Sequence, residues 1–140
     1  MTPRHIGIVA CSAEGAALCY RTICVEGAAI LGPHAHPEVT VHTFSLADYM
    51  ACIYGGDWVG VAELMLASAH TLKAVGADFL ICPDNTIHQA LPHMVPRSPL
   101  PCPGCTSPRR SRGKPWRAVS SASRSRARVG WWTARSIQMR

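Results

Sequence analysis

The chain has 140 residues, of which 48% are hydrophobic, and a formal net charge of +6. This length predicts one domain with a modest core rather than a multidomain assembly. No run of ~18 apolar residues is present, which excludes a transmembrane helix. The N-terminal sequence lacks the features of a secretory signal, so we expect a cytoplasmic protein whose seven cysteines are reduced thiols.

The net charge conceals a division of the chain into two unlike parts. All eight acidic residues lie between Glu14 and Asp84, whereas eleven of the fourteen basic residues lie from Arg97 onward. Residues 1–96 therefore carry a formal charge of −5, and residues 97–140 carry +11. The pI of 9.2 describes neither part, so it is weak evidence for a nucleic-acid partner.

The first part of the chain begins with a predicted strand, helix and strand. Residues 4–10 form an apolar run typical of a short buried strand. A helix is predicted over residues 14–31, with Ser12 as a candidate N-cap. Residues 38–44 are rich in β-branched side chains and predict a second strand. Helical spacing predicts that the apolar face of the helix contains Ala17, Leu18, Ile23, Ala28 and Leu31.

Two helices and a third strand are predicted next. A short helix over residues 46–54 is followed by a longer one, which Asp57 caps and Gly76 ends. Residues 77–82 predict a third buried strand, which leads into a turn at 83–86 and a short helix beginning near Ile87. The apolar face of the longer helix is predicted to contain Val61, Leu64, Met65, Ala69 and Leu72.

This alternation of strands and helices predicts an α/β lobe with a parallel sheet, built from βαβ units, over residues 1–96. In sheets of this kind, ligands bind at the carboxyl ends of the strands. Two loops meet that description, residues 10–15 after the first strand and residues 83–86 after the third. A functional site is therefore predicted where these two loops come together.

Residues 97–140 have no sustained hydrophobic period and are dominated by Arg, Ser and Pro, so we predict a mostly disordered tail. Three interpretations are open. The tail is a basic arm that binds nucleic acid or acidic partners, with Trp116, Trp131 and Trp132 as stacking groups, or it is an ordinary disordered extension. The third is out-of-frame translation of a GC-rich gene after a shift near residues 98–101. The third is favoured because the acidic residues and the hydrophobic period are lost at the same point.

Four segments of the first part carry a resemblance to a known family. They are IGIVACSAEGAALCYR, HPEVTVHTFSLADY, GDWVGVAELML and GADFLICPDNTIHQAL. In this order and spacing they resemble the N-terminal half of the aspartate/glutamate racemase family over residues 5–95. The most specific piece is the buried strand followed by PDNTIH at residues 83–88.

The resemblance implies an enzyme of two similar α/β lobes, in which an acidic amino acid or a related diacid lies between the lobes. It implies catalysis without a cofactor: one thiolate removes the α-proton, and a thiol on the opposite face returns a proton. It also implies that a homodimer is common. In this chain Asp84 occupies the position of the first catalytic cysteine. A carboxylate can accept a proton, but an ordinary carboxyl group, with a pKa of about 4, is a poor acid at neutral pH.

The resemblance assigns proton transfer to Asp84 and substrate binding to Asn85 and Thr86, although Asn and Thr could instead cap the next helix. Ser12 lies in the first strand-to-helix loop, where anion binding and simple helix capping are both open. We assign substrate binding to it as well. Cys82 is interpreted as a core thiol of the third strand rather than as a displaced nucleophile.

Other candidate residues carry weaker signals. His34 and His36 share a turn-rich loop but lack a clear third ligand, and Cys102 and Cys105 have the spacing of half a zinc site without a second pair. We therefore predict no metal. His88 either faces the cleft or caps the turn before it.

Together these features predict the first lobe of a racemase-like protein that acts by proton transfer at an α-carbon and is inactive without its second lobe. The expected partner is a small acidic molecule, with no membrane and no nucleic acid. A related possibility is isomerisation or decarboxylation of a diacid. The alternative is a non-catalytic protein that binds a carboxylate, or that binds nucleic acid through residues 97–140. Salt-sensitive DNA binding lost on deletion of residues 97–140 would favour the latter.

Overall fold

A computed structural model of the chain describes residues 3–103. The strands in this part are β1 (Ile6–Ala10), β2 (Val39–Thr43) and β3 (Phe79–Ile81). The helices are α1 (Ala13–Leu31), α2 (Leu46–Tyr54), α3 (Trp58–Ala74) and the single turn α4 (Leu91–Met94). Two 3₁₀ helices, Thr86–Ala90 and Val95–Arg97, flank α4. The predicted succession of strands and helices is confirmed.

The strands form a parallel sheet in the order β2-β1-β3. Strand β1 pairs with β2 from Ile6 opposite Val39 to Ala10 opposite Thr43, and with β3 from Ile6 to Ile8. All five residues of β1 are buried, because the central strand of such a sheet has helices on both faces. The predicted parallel α/β architecture is confirmed.

Capping residues set the ends of the helices. The Ser12 side chain accepts a hydrogen bond from the N–H of Gly15 at 3.1 Å, and Asp57 accepts one from Gly60 at 2.8 Å. These contacts satisfy N–H groups that have no partner inside the helix. Beyond α3, Gly76 has a φ of +91°, a conformation that favours glycine and turns the chain toward β3. The predicted caps and the predicted stop are confirmed.

Helix α1 covers one face of the sheet, and the side that it buries differs from the prediction. The buried residues of α1 are Ala16, Cys19, Ile23 and Gly27. Of the predicted apolar face only Ile23 is fully buried, and Leu18 is 51% exposed. Small residues face inward because the helix lies close to its neighbours: a Cβ at Gly27 would approach the side chain of His36 to 3.1 Å.

Helix α3 covers the other face of the sheet together with α2 and α4. The predicted apolar face of α3 is confirmed, since Val61, Met65, Ala69 and Leu72 are fully buried and Leu64 packs against the same core. Tyr49 of α2 and Ile87 are also fully buried in this core. The larger of the two hydrophobic clusters therefore lies on the α3 side, directly beneath the ends of β1 and β3.

The first residues of the segment assigned to the tail pack against the lobe. The Leu80 N–H in β3 donates to the carbonyl oxygen of Pro101 at 2.8 Å, and Cys102 is 2% exposed. The packed part of the chain thus continues beyond residue 96. Residues 104–140, which include most of the predicted tail and its tryptophans, lie outside the described residues.

Within residues 3–103, the helices are all too short or too polar to cross a membrane.

Candidate functional site

The carboxyl ends of β1 and β3 bring together the two loops that were predicted to form the site. Ile8 and Ile81 are paired in the sheet, and the chain reaches Cys11 and Asp84 three residues after each of them, just beyond the ends of the two strands. Residues 73 apart in sequence thereby come into hydrogen-bond contact. Helix α1 starts immediately after this point, so its N-terminus faces the Asp84 side chain.

Three hydrogen-bond donors converge on the Asp84 carboxylate. The backbone N–H groups of Cys11 and Ser12 donate to Oδ2 at 3.0 and 3.2 Å. The Ser12 hydroxyl donates to Oδ1 in a short contact. The N-terminus of a helix carries partial positive charge, so a carboxylate at this place is electrostatically stabilised. The structure thus unites Asp84 and Ser12, two of the predicted site residues.

Gly15 allows the carboxylate to sit this close to α1. A Cβ at this position would lie 2.8 Å from Asp84 Oδ1 and 2.9 Å from Ser12 Oγ. Both distances are shorter than non-bonded atoms adopt, and the Asp84 carboxylate is held by its three donors. A glycine at position 15 is therefore part of the site, and sequence reasoning did not identify it.

The thiols near Asp84, which are buried at Cys11 and Cys19 and partly buried at Cys82, resist ionisation. Burial first, and the negative charge of Asp84 second, raise the pKa values of Cys11 and Cys19 to about 11. Burial raises the pKa of Cys82 to about 12, although a hydrogen bond from the Asp84 backbone acts in the opposite direction. These thiols stay protonated at neutral pH, which favours the interpretation of Cys82 as a core thiol over a displaced nucleophile.

Asn85 and Thr86 follow Asp84 on the exposed side of the turn. Asn85 precedes the 3₁₀ helix Thr86–Ala90, but its side chain makes no capping hydrogen bond. The Thr86 carbonyl accepts a weak hydrogen bond from the side chain of Gln89 at 3.4 Å. Both residues are exposed next to the Asp84 carboxylate, so their side chains are available to a small ligand.

The ring of His88 fastens this turn to the end of β3. Its Nε2 lies 2.9 Å from the carbonyl oxygen of Cys82. Of the two interpretations left open for His88, the contact matches the structural one, in which the ring supports the turn.

The predicted absence of a metal site rested on the lack of a complete ligand set. In residues 3–103 there is no group of three or more His, Cys, Asp or Glu side chains placed to hold a metal ion. His34 is exposed in a left-handed turn conformation, with a φ of +64°. Cys105, the second cysteine of the spacing that resembles half a zinc site, lies outside the described residues. Cys102 is disulfide-bonded, so the expectation that all seven cysteines are reduced thiols is wrong for this residue.

Tyr49 is a buried polar residue beneath the site that sequence reasoning did not identify. Its side chain is fully buried in the α3-side core, and its hydroxyl makes no hydrogen bond of normal geometry within the described part of the chain. Burial raises its pKa, with contributions from the nearby Cys11, Cys82 and Asp84; the neighbouring Ser68 hydroxyl acts in the opposite direction. Helical spacing in α2 can indicate that an aromatic residue at this position is buried. It cannot indicate that the hydroxyl lacks a hydrogen-bond partner within the described residues.

The fold and the site define an α/β lobe whose polar loops meet at the carboxyl ends of parallel strands. No protein-family model and no curated protein matches the chain. Solved structures that share its fold include the following two. One, a candidate Asp/Glu racemase from Yersinia pestis, has a TM-score of 0.66 and 24% identity over 71% of this chain. The other, an aspartate racemase homologue from Pyrococcus horikoshii, has a TM-score of 0.60 and 19% identity over 71% of this chain.

The match covers less than half of each neighbouring protein. The chain covers 44% of the Yersinia protein and 43% of the Pyrococcus protein. At these identities the similarity establishes the fold of the lobe.

Proposed function

We propose that this chain is one lobe of a cofactor-independent, amino-acid-racemase-like protein. Its reaction is proton transfer at the α-carbon of aspartate, glutamate or a related diacid. The observation that carries the proposal is the Asp84 carboxylate, held at the carboxyl ends of β1 and β3 in a fold shared with the two racemase-like proteins. A fixed carboxylate at a loop site of this kind can accept a proton from a bound substrate.

Asp84 is the proton acceptor that this lobe offers. The neighbouring thiols of Cys11, Cys19 and Cys82 have pKa values raised to about 11 or 12, so they supply little thiolate at neutral pH. In the proposed step, the α-proton moves to an Asp84 oxygen and its electron pair remains on the substrate α-carbon. An acid on the opposite face then protonates that carbon and inverts its configuration.

Asn85 and Thr86 bind the substrate in this proposal. Their exposed side chains lie directly after Asp84 and can donate hydrogen bonds to a substrate carboxylate. Ser12, also assigned to the substrate in the prediction, contributes at the same loop through its contact with Asp84. By family resemblance, the proposal extends to a cytoplasmic homodimer.

The acid on the opposite face belongs, in this proposal, to a second lobe. The chain spans less than half the length of the Yersinia and Pyrococcus proteins. We therefore propose that the 140-residue chain does not racemise amino acids by itself. It binds an acidic amino acid at Asn85 and Thr86 without turning it over.

Two measurements on the purified 140-residue chain test this proposal. Titration with L-aspartate and L-glutamate, followed by amide NMR, should shift the signals of Asn85 and Thr86. The variants Asn85→Ala and Thr86→Val should weaken binding, and Ser45→Ala, a change at the start of α2, is the matched control. Incubation in deuterated water should show no enzymatic exchange of the α-proton. Exchange at an enzymatic rate would contradict the proposal that the chain is inactive by itself. Absence of binding would contradict the proposal that its substrate is an acidic amino acid.

A third test concerns the second lobe. One of the other two reading frames of the coding DNA after codon 97 should encode an α/β pattern and, later in it, a Gly-Cys-Thr segment, which the family resemblance implies as the second catalytic motif. A protein with its frame restored should racemise L-aspartate or L-glutamate, and the same protein with Asp84→Asn should lose that activity. If neither of these frames encodes such a lobe, the frame-shift interpretation is wrong.

A further inference from the structure

The Ser12 hydroxyl lies between α1 and the Asp84 carboxylate. Its oxygen accepts the N–H of Gly15 at 3.1 Å, and its proton is donated to Asp84 Oδ1. A serine hydroxyl has a single proton to donate. While it is bonded to Asp84, it has no proton left for a substrate carboxylate, so direct substrate binding by Ser12 would require the Asp84 contact to break.

The contacts of Asp84 are unequal between its two oxygens. A carboxylate offers about four lone-pair positions, two on each oxygen. Oδ2 accepts the two backbone N–H groups of Cys11 and Ser12, whereas Oδ1 accepts the Ser12 hydroxyl. Within the described part of the chain, the position that remains open is therefore on Oδ1, beside Ser12.

Three hydrogen bonds limit how the carboxylate can turn. The Ser12 hydroxyl holds Oδ1, in the space that is left open because Gly15 has no side chain. The amides of the β1–α1 loop hold Oδ2. A rotation of 180° about the Cβ–Cγ bond of Asp84 only exchanges two equivalent oxygens, whereas a smaller rotation would distort all three hydrogen bonds. The Ser12 hydroxyl thus helps to fix the plane of the carboxylate, with one oxygen on the amides and the other, here Oδ1, beside Ser12.

We propose that Ser12 is a positioning residue, which orients the Asp84 carboxylate so that Oδ1 is the oxygen that exchanges protons with the substrate. This inference rests on the proposed function of Asp84. It replaces direct substrate binding as the role of Ser12. Helix capping is then the second use of the same hydroxyl, since the Gly15 contact holds its oxygen in place.

The test is NMR on the whole 140-residue chain labelled with ¹³C and ¹⁵N. The wild-type chain should show couplings through hydrogen bonds from the amides of Cys11 and Ser12 to the Asp84 carboxyl carbon, together with one fixed Asp84 rotamer. Ser12→Ala should abolish the fixed rotamer and weaken both couplings. Ser12→Thr retains the hydroxyl and should restore them. Ser45→Ala removes the cap of α2, where Ser45 accepts the Ala47 N–H at 3.3 Å, and should leave Asp84 unchanged.

Titration of the same variants with L-aspartate separates positioning from direct binding. A positioning role predicts that Ser12→Ala keeps the wild-type affinity while Asp84 loses its orientation. A direct contact predicts a loss of about tenfold or more, the effect of removing one hydrogen bond to a charged group. That loss, with the Asp84 rotamer unchanged, would overturn the inference, as would wild-type spectra without the couplings.

The two proposals fail in different ways. If the wild-type chain binds neither L-aspartate nor L-glutamate, the proposed substrate class is wrong, and the Asp84 signals still decide whether Ser12 orients the carboxylate. If Ser12→Ala does not fold, the couplings and the rotamer in the wild-type and Ser12→Thr chains decide the inference without it.

Discussion

Cys11 and Asp84 act on each other in opposite senses. The backbone N–H of Cys11 donates to the Asp84 carboxylate at 3.0 Å and so stabilises its charge. That charge, second to burial, raises the pKa of the Cys11 thiol to about 11. The backbone of Cys11 thus stabilises the Asp84 carboxylate, while the charge of that carboxylate disfavours ionisation of the Cys11 thiol. Of these two neighbouring side chains, only Asp84 carries a negative charge at neutral pH.

Asp84→Asn should make the neighbouring thiols more acidic. The amide is similar in shape to the carboxylate, but it removes the charge that raises the pKa values of Cys11 and Cys19. Both values should fall from about 11 toward the ordinary value of 9.0 and remain above it, because burial is the larger cause. The ¹³Cβ shifts of the cysteines, followed against pH, measure this. Unchanged titration midpoints would contradict the electrostatic coupling.

Gly15→Ala should destabilise the lobe although alanine is the better helix former. The new Cβ would lie 2.8 Å from Asp84 Oδ1, and the carboxylate can move away only by losing hydrogen bonds. We expect a loss of about 1–3 kcal/mol in the free energy of unfolding, the range for overpacking. Gly55→Ala is the control, since a Cβ there makes an ordinary contact at 3.4 Å. Urea denaturation compares the two, and equal stabilities would argue against a fixed carboxylate.

Tyr49→Phe should leave the stability unchanged or increase it by up to about 1 kcal/mol. The hydroxyl is fully buried and makes no hydrogen bond of normal geometry within residues 3–103, so its removal avoids a desolvation cost. Tyr54→Phe is the control, because Tyr54 is 84% exposed and its hydroxyl is solvated. The measurement is the urea midpoint. A clear loss of stability in Tyr49→Phe alone would indicate that a buried partner, such as an internal water, binds the hydroxyl.

Stability should fall at alkaline pH. The folded lobe raises the pKa values of Cys11 and Cys19 to about 11 and that of Cys82 to about 12, from 9.0 in an unfolded chain. Above pH 9 the unfolded chain therefore loses protons that the folded chain retains, which favours unfolding. The stabilisation should be complete below pH 9 and lost as the pH rises through 11 to 12. Urea midpoints from pH 7 upward measure it.

A matched variant isolates the contribution of the thiols to this alkaline loss. Cys82→Ala removes one titrating group, so the dependence on pH should become shallower even if the variant is less stable at pH 7. An identical slope in the variant would show that Cys82 does not ionise on unfolding in this range.

The fold could be predicted from sequence because its signals are local. The β-branched run of residues 38–44, the Asp57 cap and the Gly76 stop each specify one element, and alternating elements specify a parallel sheet. The buried side of α1 could not be predicted in this way. Its sequence carries more than one apolar stripe, and the sheet selected the one with small residues, at Ala16, Cys19 and Gly27.

The sequence predicted which two loops form the site, but it did not predict the hydrogen bonds within the site. The carboxyl ends of two strands had to bring residues 10–15 near residues 83–86 in a parallel sheet. The choice of the Ser12 hydroxyl for Asp84 rather than for a ligand depends on side-chain rotamers in two loops that are 72 residues apart. The hydrophobic periodicity of the sequence carries no information about such a contact. It also could not indicate that the buried hydroxyl of Tyr49 lacks a hydrogen bond of normal geometry within the described residues.

The hydrogen bond from Leu80 to Pro101 also shields an open sheet edge. Strand β3 is an outer strand, and unpaired outer strands are templates on which other chains can add strands and aggregate. Pro101 occupies one of these backbone positions, and proline itself has no N–H with which to extend the pairing. Residues 98–102 thus cover part of the outer edge of β3. A chain shortened to residue 96 would leave that edge uncovered and should aggregate more readily than the longer chain.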